Sequence, residues 1–196
     1  MSDLIQRSEL TALLNDPAGF LAASNPEIRR LAVAASLSFP ELRAVLIDMM
    51  TTDPDSSVRR ECAEVLGMAE NTDPESIEQA LQDEIAEVRE AAATALGEIA
   101  APSSTSILIA RASDQDEDKL VREAAVAALG AIGDPIALPT VLDLVASASP
   151  QIRRRCVAAL TVFDGDEVEA ALRAAAADRN PMVREAAEMV VGRTAD

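Results

Sequence analysis

The chain contains no histidine, tryptophan or tyrosine, and only three phenylalanines among its 196 residues. Without histidine the commonest general base and the commonest metal ligand are missing, and with them the Ser–His and Cys–His nucleophile pairs. No catalytic residue, no metal site and no cofactor are therefore expected, and the chain reads as a non-enzyme. Scarce aromatics mean that a core must be assembled from Ala, Leu, Val and Ile, whose small side chains let helices approach closely. Hydrophobic residues at 49% supply enough of them. Basic charge is also short: Lys119 is the lone lysine, and 17 basic against 34 acidic residues leave a formal charge of −17. Such a surface repels phosphate backbones and anionic lipid, so neither nucleic acid nor a membrane is an expected partner. No window approaches the roughly 20 apolar residues that span a bilayer. Met1 to Leu14 mixes charged and apolar residues without the basic start and continuous apolar run of a signal peptide, which predicts a cytoplasmic protein.

What is present is periodic. An Ile or Val followed by Arg recurs at Ile28-Arg29, Val58-Arg59, Val88-Arg89, Val121-Arg122, Ile152-Arg153 and Val183-Arg184, with steps of 30, 30, 33, 31 and 31. A period of that length marks a repeat array, in which each unit buries its apolar face against its neighbours. Val88, Ala92, Ala95, Leu96 and Ile99 stand at offsets 0, 4, 7, 8 and 11, on one side of an α-helix, and the other units follow the same spacing. Shorter stripes precede these, such as Leu42, Val45, Leu46 and Met49, and are read as the first helix of each pair. Asp53-Pro54-Asp55, Ala148-Ser149-Pro150 and Arg179-Asn180-Pro181 separate first from second helices, with Asp, Ser and Asn as caps. Six helical pairs are predicted in one domain over 1–196: 17–39, 40–69, 74–100, 102–132, 135–163 and 165–194, with a capping helix near 2–14. End repeats are expected to be atypical, and Ser36 and Glu188 stand where middle repeats carry apolar residues.

Cys62 and Cys156 occupy the slot that Ala32, Ala92, Ala125 and Ala187 fill elsewhere, so both read as small buried hydrophobes and not as a disulfide. Gly67, Gly97, Gly130 and Gly192 return nine residues after each starting valine, which predicts close backbone contact or a helix end. The acidic turn Asp114-Gln115-Asp116-Glu117-Asp118 lacks the glycine and closing glutamate of a calcium loop and reads as a solvated, helix-capping turn.

The string Glu87-Val88-Arg89-Glu90-Ala91-Ala92-Ala93-Thr94-Ala95-Leu96-Gly97-Glu98-Ile99, with its near-copy from Val121 to Ile132, resembles the HEAT-like repeat family, in particular the short repeats of phycobilin lyases. That resemblance covers about 17–194 and implies an all-α fold, a right-handed α-solenoid whose second helices line the concave face. It also implies a ladder between neighbouring repeats, made of turn aspartates and helix-head arginines. Asp53, Asp83, Asp116 and Asp178 each lie five residues before the valine of their repeat, and Arg59, Arg89, Arg122, Arg153 and Arg184 are the arginines. Ala23 and Ser147 replace Asp, so the ladder is expected to break in the first and fifth repeats. Taken as exposed pairs, each rung is expected to contribute about 0–1 kcal/mol. Deoxyhypusine hydroxylase is similar in repeat design but binds iron through His-Glu pairs, whose histidines this chain lacks.

Offsets 2, 6 and 10 of the second helices define the face left open for a partner. Arg60, Glu64, Glu90, Thr94, Glu98 and Glu123 form an acidic centre, followed by Ala127, Ala131, Ala158, Val162 and Met189 as a small apolar strip rimmed by Arg154, Arg155 and Arg193. The expected activity is a protein–protein interaction scaffold that holds a basic or mixed-charge segment of a partner through Arg60, Glu64, Glu90, Thr94, Glu98, Glu123, Ala127, Arg154, Val162 and Met189. The alternative implied by the resemblance is an accessory lyase or maturation factor for a prosthetic group, against which the poverty in aromatic contacts speaks. No motif specifies an oligomeric state.

Overall fold

A computed structural model of the protein describes residues 7–194, with side chains described for 8–192. Among the described residues every regular element is helical. No helix there is long and apolar enough to cross a membrane. The chain divides into two compact units, 1–95 and 96–196, with the division falling inside one helix. The stacked helical hairpins within each unit are those of an α-solenoid.

In the N-terminal unit, α1 (Arg7–Asn15) is the predicted capping helix; the earlier part of that prediction, residues 2–6, lies outside the described residues. A 3-10 turn at Pro17–Phe20 stands in for the first helix of repeat one and leads to α2 (Pro26–Ala35). The second hairpin is α3 (Arg43–Thr52) with α4 (Ser56–Met68). In the third, α5 (Pro74–Glu78) runs into a 3-10 turn at Gln79–Gln82 before α6 (Ala86–Ile99). Short acceptor side chains start these helices: Asn25 accepts from the Glu27 N–H, Asp55 from Ser57 and Asp73 from Glu75.

The apolar stripes face inward as the periodicity requires. Val58, Cys62, Val65 and Leu66 of α4 are buried, as are Val88, Ala92 and Ala95 of α6, and α4 packs against both α2 and α3. One stripe is displaced. Val45 is 43% exposed while Met50 is buried, so α3 turns Leu46, Met49 and Met50 inward. Leu46, Met49 and Met50 make an i, i+3, i+4 stripe, and Val45 lies at its edge. Ser36, on the inner face of the first repeat, is buried with its hydroxyl donating to the Ala32 carbonyl at 2.7 Å.

The C-terminal unit continues with α7 (Thr105–Ser113) and α8 (Lys119–Ile132), α9 (Leu138–Ser147) and α10 (Pro150–Leu160), then α11 (Asp166–Ala175) and α12 (Pro181–Thr194). The second helices pack in series, α8 on α10 and α10 on α12. Val121, Ala125, Ala128 and Leu129 meet Ile152, Cys156, Ala159 and Leu160 across a layer that excludes water almost completely. Cys156 is a free buried thiol, as is Cys62 in the other unit. Burial pushes both thiols up, that of Cys156 to about 12 and that of Cys62 further.

Two of the recurring glycines exist for this packing. A Cβ on Gly97 would stand 2.8 Å from Ala128 Cα, and one on Gly130 would stand 2.8 Å from Ala159 Cα. Neither neighbour is a flexible side-chain end, so a methyl group must push two helices apart. Gly192 has nothing within 4 Å of that position. Gly130→Ala is expected to lower stability by about 1–3 kcal/mol, the cost of overpacking exceeding the ~1 kcal/mol that alanine gains in helix propensity. Gly192→Ala is expected to be neutral or stabilising. Urea unfolding midpoints of the two variants check the contrast, and equal effects would contradict it.

Candidate functional site

Each repeat carries two sets of polar residues: arginines and aspartates at the hairpin turns, and the side chains of the second helices that point away from the core. The turn residues form a ladder. Arg29 grips Asp53 with Nε and Nη2, both at 2.7 Å. Arg59 grips Asp83 at 2.7 and 2.9 Å, and Arg153 grips Asp178 at 2.8 Å twice. Each pair spans to the following repeat. The carboxylate also accepts the N–H two residues on, from Asp55, Ile85 and Asn180 respectively. Meanwhile Nη1 of Arg29, Arg59, Arg89, Arg153 and Arg184 donates to a carbonyl of its own loop, as Arg59 does to Asp53, Arg89 to Asp83 and Arg184 to Asp178.

These pairs are not exposed, which corrects the expectation of 0–1 kcal/mol per rung. Side-chain exposures are 11% and 4% for Arg29–Asp53, 9% and 9% for Arg59–Asp83, and 6% and 13% for Arg153–Asp178. Charged hydrogen bonds in such surroundings are worth about 1.5–3 kcal/mol when one partner is removed.

Two loops depart from the counted pattern. In the fourth, Asp114 and not Asp116 takes the turn position, accepting the N–H of Asp116 at 3.0 Å. That loop is longer, so counting back from Val121 lands two residues late. The neighbouring carboxylates are engaged as well: Asp118 caps α8 through the Leu120 N–H, and Glu117 pairs with Arg111 at 3.3 Å. In the fifth loop Ala148, not Ser147, holds the turn position. Its carbonyl accepts from Arg153 Nη1 at 2.7 Å, and its N–H closes α9 on Leu144 as the N–H of Asp53 closes α3 on Met49. The carboxylate missing there leaves Arg122, in the preceding repeat, without a partner. Arg122 instead donates Nε to the Ala112 carbonyl at 3.0 Å. Ala23 causes no break, because Arg29 reaches forward to Asp53 and needs only the Ala23 carbonyl behind it.

The outward face differs between the units. In the N-terminal unit Arg60 and Glu64 lie one turn apart on α4, 3.5 Å from Nε to Oε1 and each about two-fifths exposed. Glu90 and Thr94 project from α6, Glu90 half-buried and Thr94 exposed. The Glu90 carboxyl is held above the usual range, chiefly by burial and then by the charge of Glu64, with Arg60 opposing. Glu90 has no hydrogen-bond or ion-pair partner among the described residues. In the C-terminal unit Glu98 and Arg154 are exposed, and Glu123 pairs with Lys119 at 3.7 Å. Ala127 is half-buried, and Val162 and Met189 are 52% and 63% exposed. The side chain of Arg193, expected at the rim, lies outside the described residues.

Stacked two-helix repeats tied by turn residues define an α-solenoid repeat protein. The family profile described as HEAT repeats matches residues 74–160, and that stretch is made of HEAT repeats. No curated protein matches the chain. Solved structures do. The Escherichia coli protein YibA is 16% identical with a TM-score of 0.67, over 97% of this chain and 76% of that one. A designed armadillo repeat protein in complex with the peptide (KR)4 is 16% identical with a TM-score of 0.61, over 94% and 98%. Human deoxyhypusine hydroxylase in complex with glycerol is 21% identical with a TM-score of 0.53, over 95% and 74%. At these identities the likeness is one of fold.

The ladder has a pH signature. Asp178 is held below the usual carboxylate range by the hydrogen bond from Arg153, and burial opposes this only in part. In Asp83 burial pulls upward, but hydrogen bonds from Arg59 and the Ile85 N–H prevail and leave its carboxyl low too. A lowered folded-state value contributes stability that is present above the unfolded value, about 3.9, and is lost as pH falls through the folded one. The urea midpoint is therefore expected to fall steeply below about pH 4. Asp178→Asn should cost about 1.5–3 kcal/mol at pH 7 and flatten that acid limb. An acid limb of unchanged slope in the variant would contradict the assignment.

Proposed function

We propose that the protein is a non-enzymatic, cytoplasmic interaction scaffold that binds a basic or mixed-charge protein segment on the outward face of its second helices. In the N-terminal unit the binding residues are Arg60, Glu64, Glu90 and Thr94. In the C-terminal unit they are Glu98, Glu123, Ala127, Arg154, Val162 and Met189, where the two exposed apolar side chains would seat an aliphatic part of the segment. The observation that carries this reading is Glu90, a half-buried carboxylate without a partner, beside a second carboxylate that raises it further. A carboxyl held high costs folding stability at neutral pH, since the folded chain must ionise it against burial. A lysine or arginine from outside removes that cost, and a neutral side chain removes it permanently. An ionisable group perturbed by burial and a like charge supports a functional reading of its position. The fold supports the same class of partner, because an armadillo solenoid of similar backbone holds the Lys–Arg peptide (KR)4.

Fluorescence anisotropy of labelled (KR)4 with the full chain tests the reading. Binding is expected, and it should weaken as salt screens the charges. The double variant Glu64→Gln, Glu90→Gln should raise Kd about tenfold or more while the melting temperature of the free protein rises slightly. An unchanged Kd in that variant removes the site assignment, and absence of salt-sensitive binding removes the basic segment.

A further inference from the structure

Three turn carboxylates, Asp53, Asp83 and Asp178, sit in receptors of one design: two nitrogens of an arginine from the preceding repeat and the N–H two residues on. At the fifth loop the arginine is present and the carboxylate is not. Arg122 uses Nε on the Ala112 carbonyl, and its Nη1 and Nη2 meet no acceptor among the described residues. Pro150 stands two residues after Ala148 and has no N–H to offer. In its place is Ser149, whose hydroxyl oxygen is buried and makes no hydrogen bond, although the residue occupies the N-cap of α10. Side-chain oxygens at that position ordinarily cap the helix. Here the group is left unused.

Arg122 and Ser149 line the same open cavity, about 320 Å³, together with Gln115, Asp143, Ser147 and the end of α9. The Ser147 hydroxyl already donates to the Asp143 carbonyl at 3.0 Å. Asp143 is exposed and makes no ion pair with Arg122. Its charge weighs against a dianion such as phosphate in this cavity and leaves room for one carboxylate set against the guanidinium.

The geometry points to a carboxylate-binding site in this cavity, in which Arg122 grips a carboxylate supplied from outside the chain, beside Ser149 at the head of α10. The ligand takes the place that Asp53, Asp83 and Asp178 fill in the other rungs. Its source is either a small free carboxylic acid or the acidic side chain or C-terminus of a partner protein. The site uses none of the residues of the proposed peptide face, so each stands or falls alone.

The test is NMR of the full chain. Sodium acetate is titrated against sodium chloride at constant ionic strength, following the Arg122 Nε–Hε and Ser149 amide resonances. Acetate is expected to shift both saturably and chloride to shift neither, with Arg122→Gln weakening the Ser149 response at least tenfold. Ala148→Asp should supply the carboxylate internally, raise the melting temperature and abolish the acetate response. Should that variant not fold, the comparison of wild type with Arg122→Gln decides the matter. N-acetyl-Gly-Glu-Gly-amide and N-acetyl-Gly-Gly-Gly with a free C-terminus separate the protein sources from acetate itself. Tighter binding of either peptide assigns a protein ligand, and binding of acetate alone assigns a small acid. No saturable shift with any of these probes, equal shifts in Arg122→Gln, or an equal response to inorganic phosphate would overturn the proposal.

Discussion

A carboxylate that accepts from two directions, from its own turn and from an arginine about 24 residues earlier, makes the shape of each loop depend on the repeat before it. Asp83 shows the constraint in full: the Ile85 N–H fixes its rotamer, and Arg59 meets the fixed oxygens with a planar fork. Arg59 is positioned in turn by the Asp53 carbonyl. Because Asp53 is itself held by Arg29, successive rungs share residues, and an error in one loop is felt in the next. With the pairs nearly buried, removal of either member strands a charge away from water. The ladder therefore specifies register as well as adding stability.

Small residues do the remainder. A core without Trp or Tyr can still exclude water if its helices come close, and the Gly97–Ala128 and Gly130–Ala159 approaches are how they do so in the C-terminal unit. The same economy leaves few large side chains with which to enclose a ligand. On the outward face Glu64 and Glu90 carry more negative charge than Arg60 neutralises.

The helix pairs were legible because burial in a repeat array is periodic, and the buried valines at 58, 88, 121 and 183 are the period. The misplacements came from helix phase and loop length, which periodicity does not encode. Val45 faces solvent because the buried stripe of α3 centres on Leu46, Met49 and Met50, and Asp114 replaces Asp116 because its loop is longer. Likewise Ala148, not Ser147, is the empty rung, one residue off by count. Residue type predicts a helix cap at Ser149, yet its hydroxyl makes no hydrogen bond. The elevated Glu90 carboxyl was not legible either. The residue was on the expected face, but its loss of solvent and its apposition to Glu64 depend on how α4 and α6 approach. A signal for the unpartnered Arg122 did exist in the missing turn aspartate, although it pointed to the repeat that lacks the acid and not to the repeat whose arginine loses its partner.

Where a rung is complete, ladder and packing together make a repeat's order a property of its neighbour. A double-mutant cycle on Arg59 and Asp83, using Arg59→Met and Asp83→Asn in urea unfolding at pH 7, tests that dependence most directly. A coupling energy of about 1.5 kcal/mol or more between residues 24 positions apart is the predicted result. Strictly additive effects, with a coupling below about 0.3 kcal/mol, would show that the rung binds nothing together and would contradict the account.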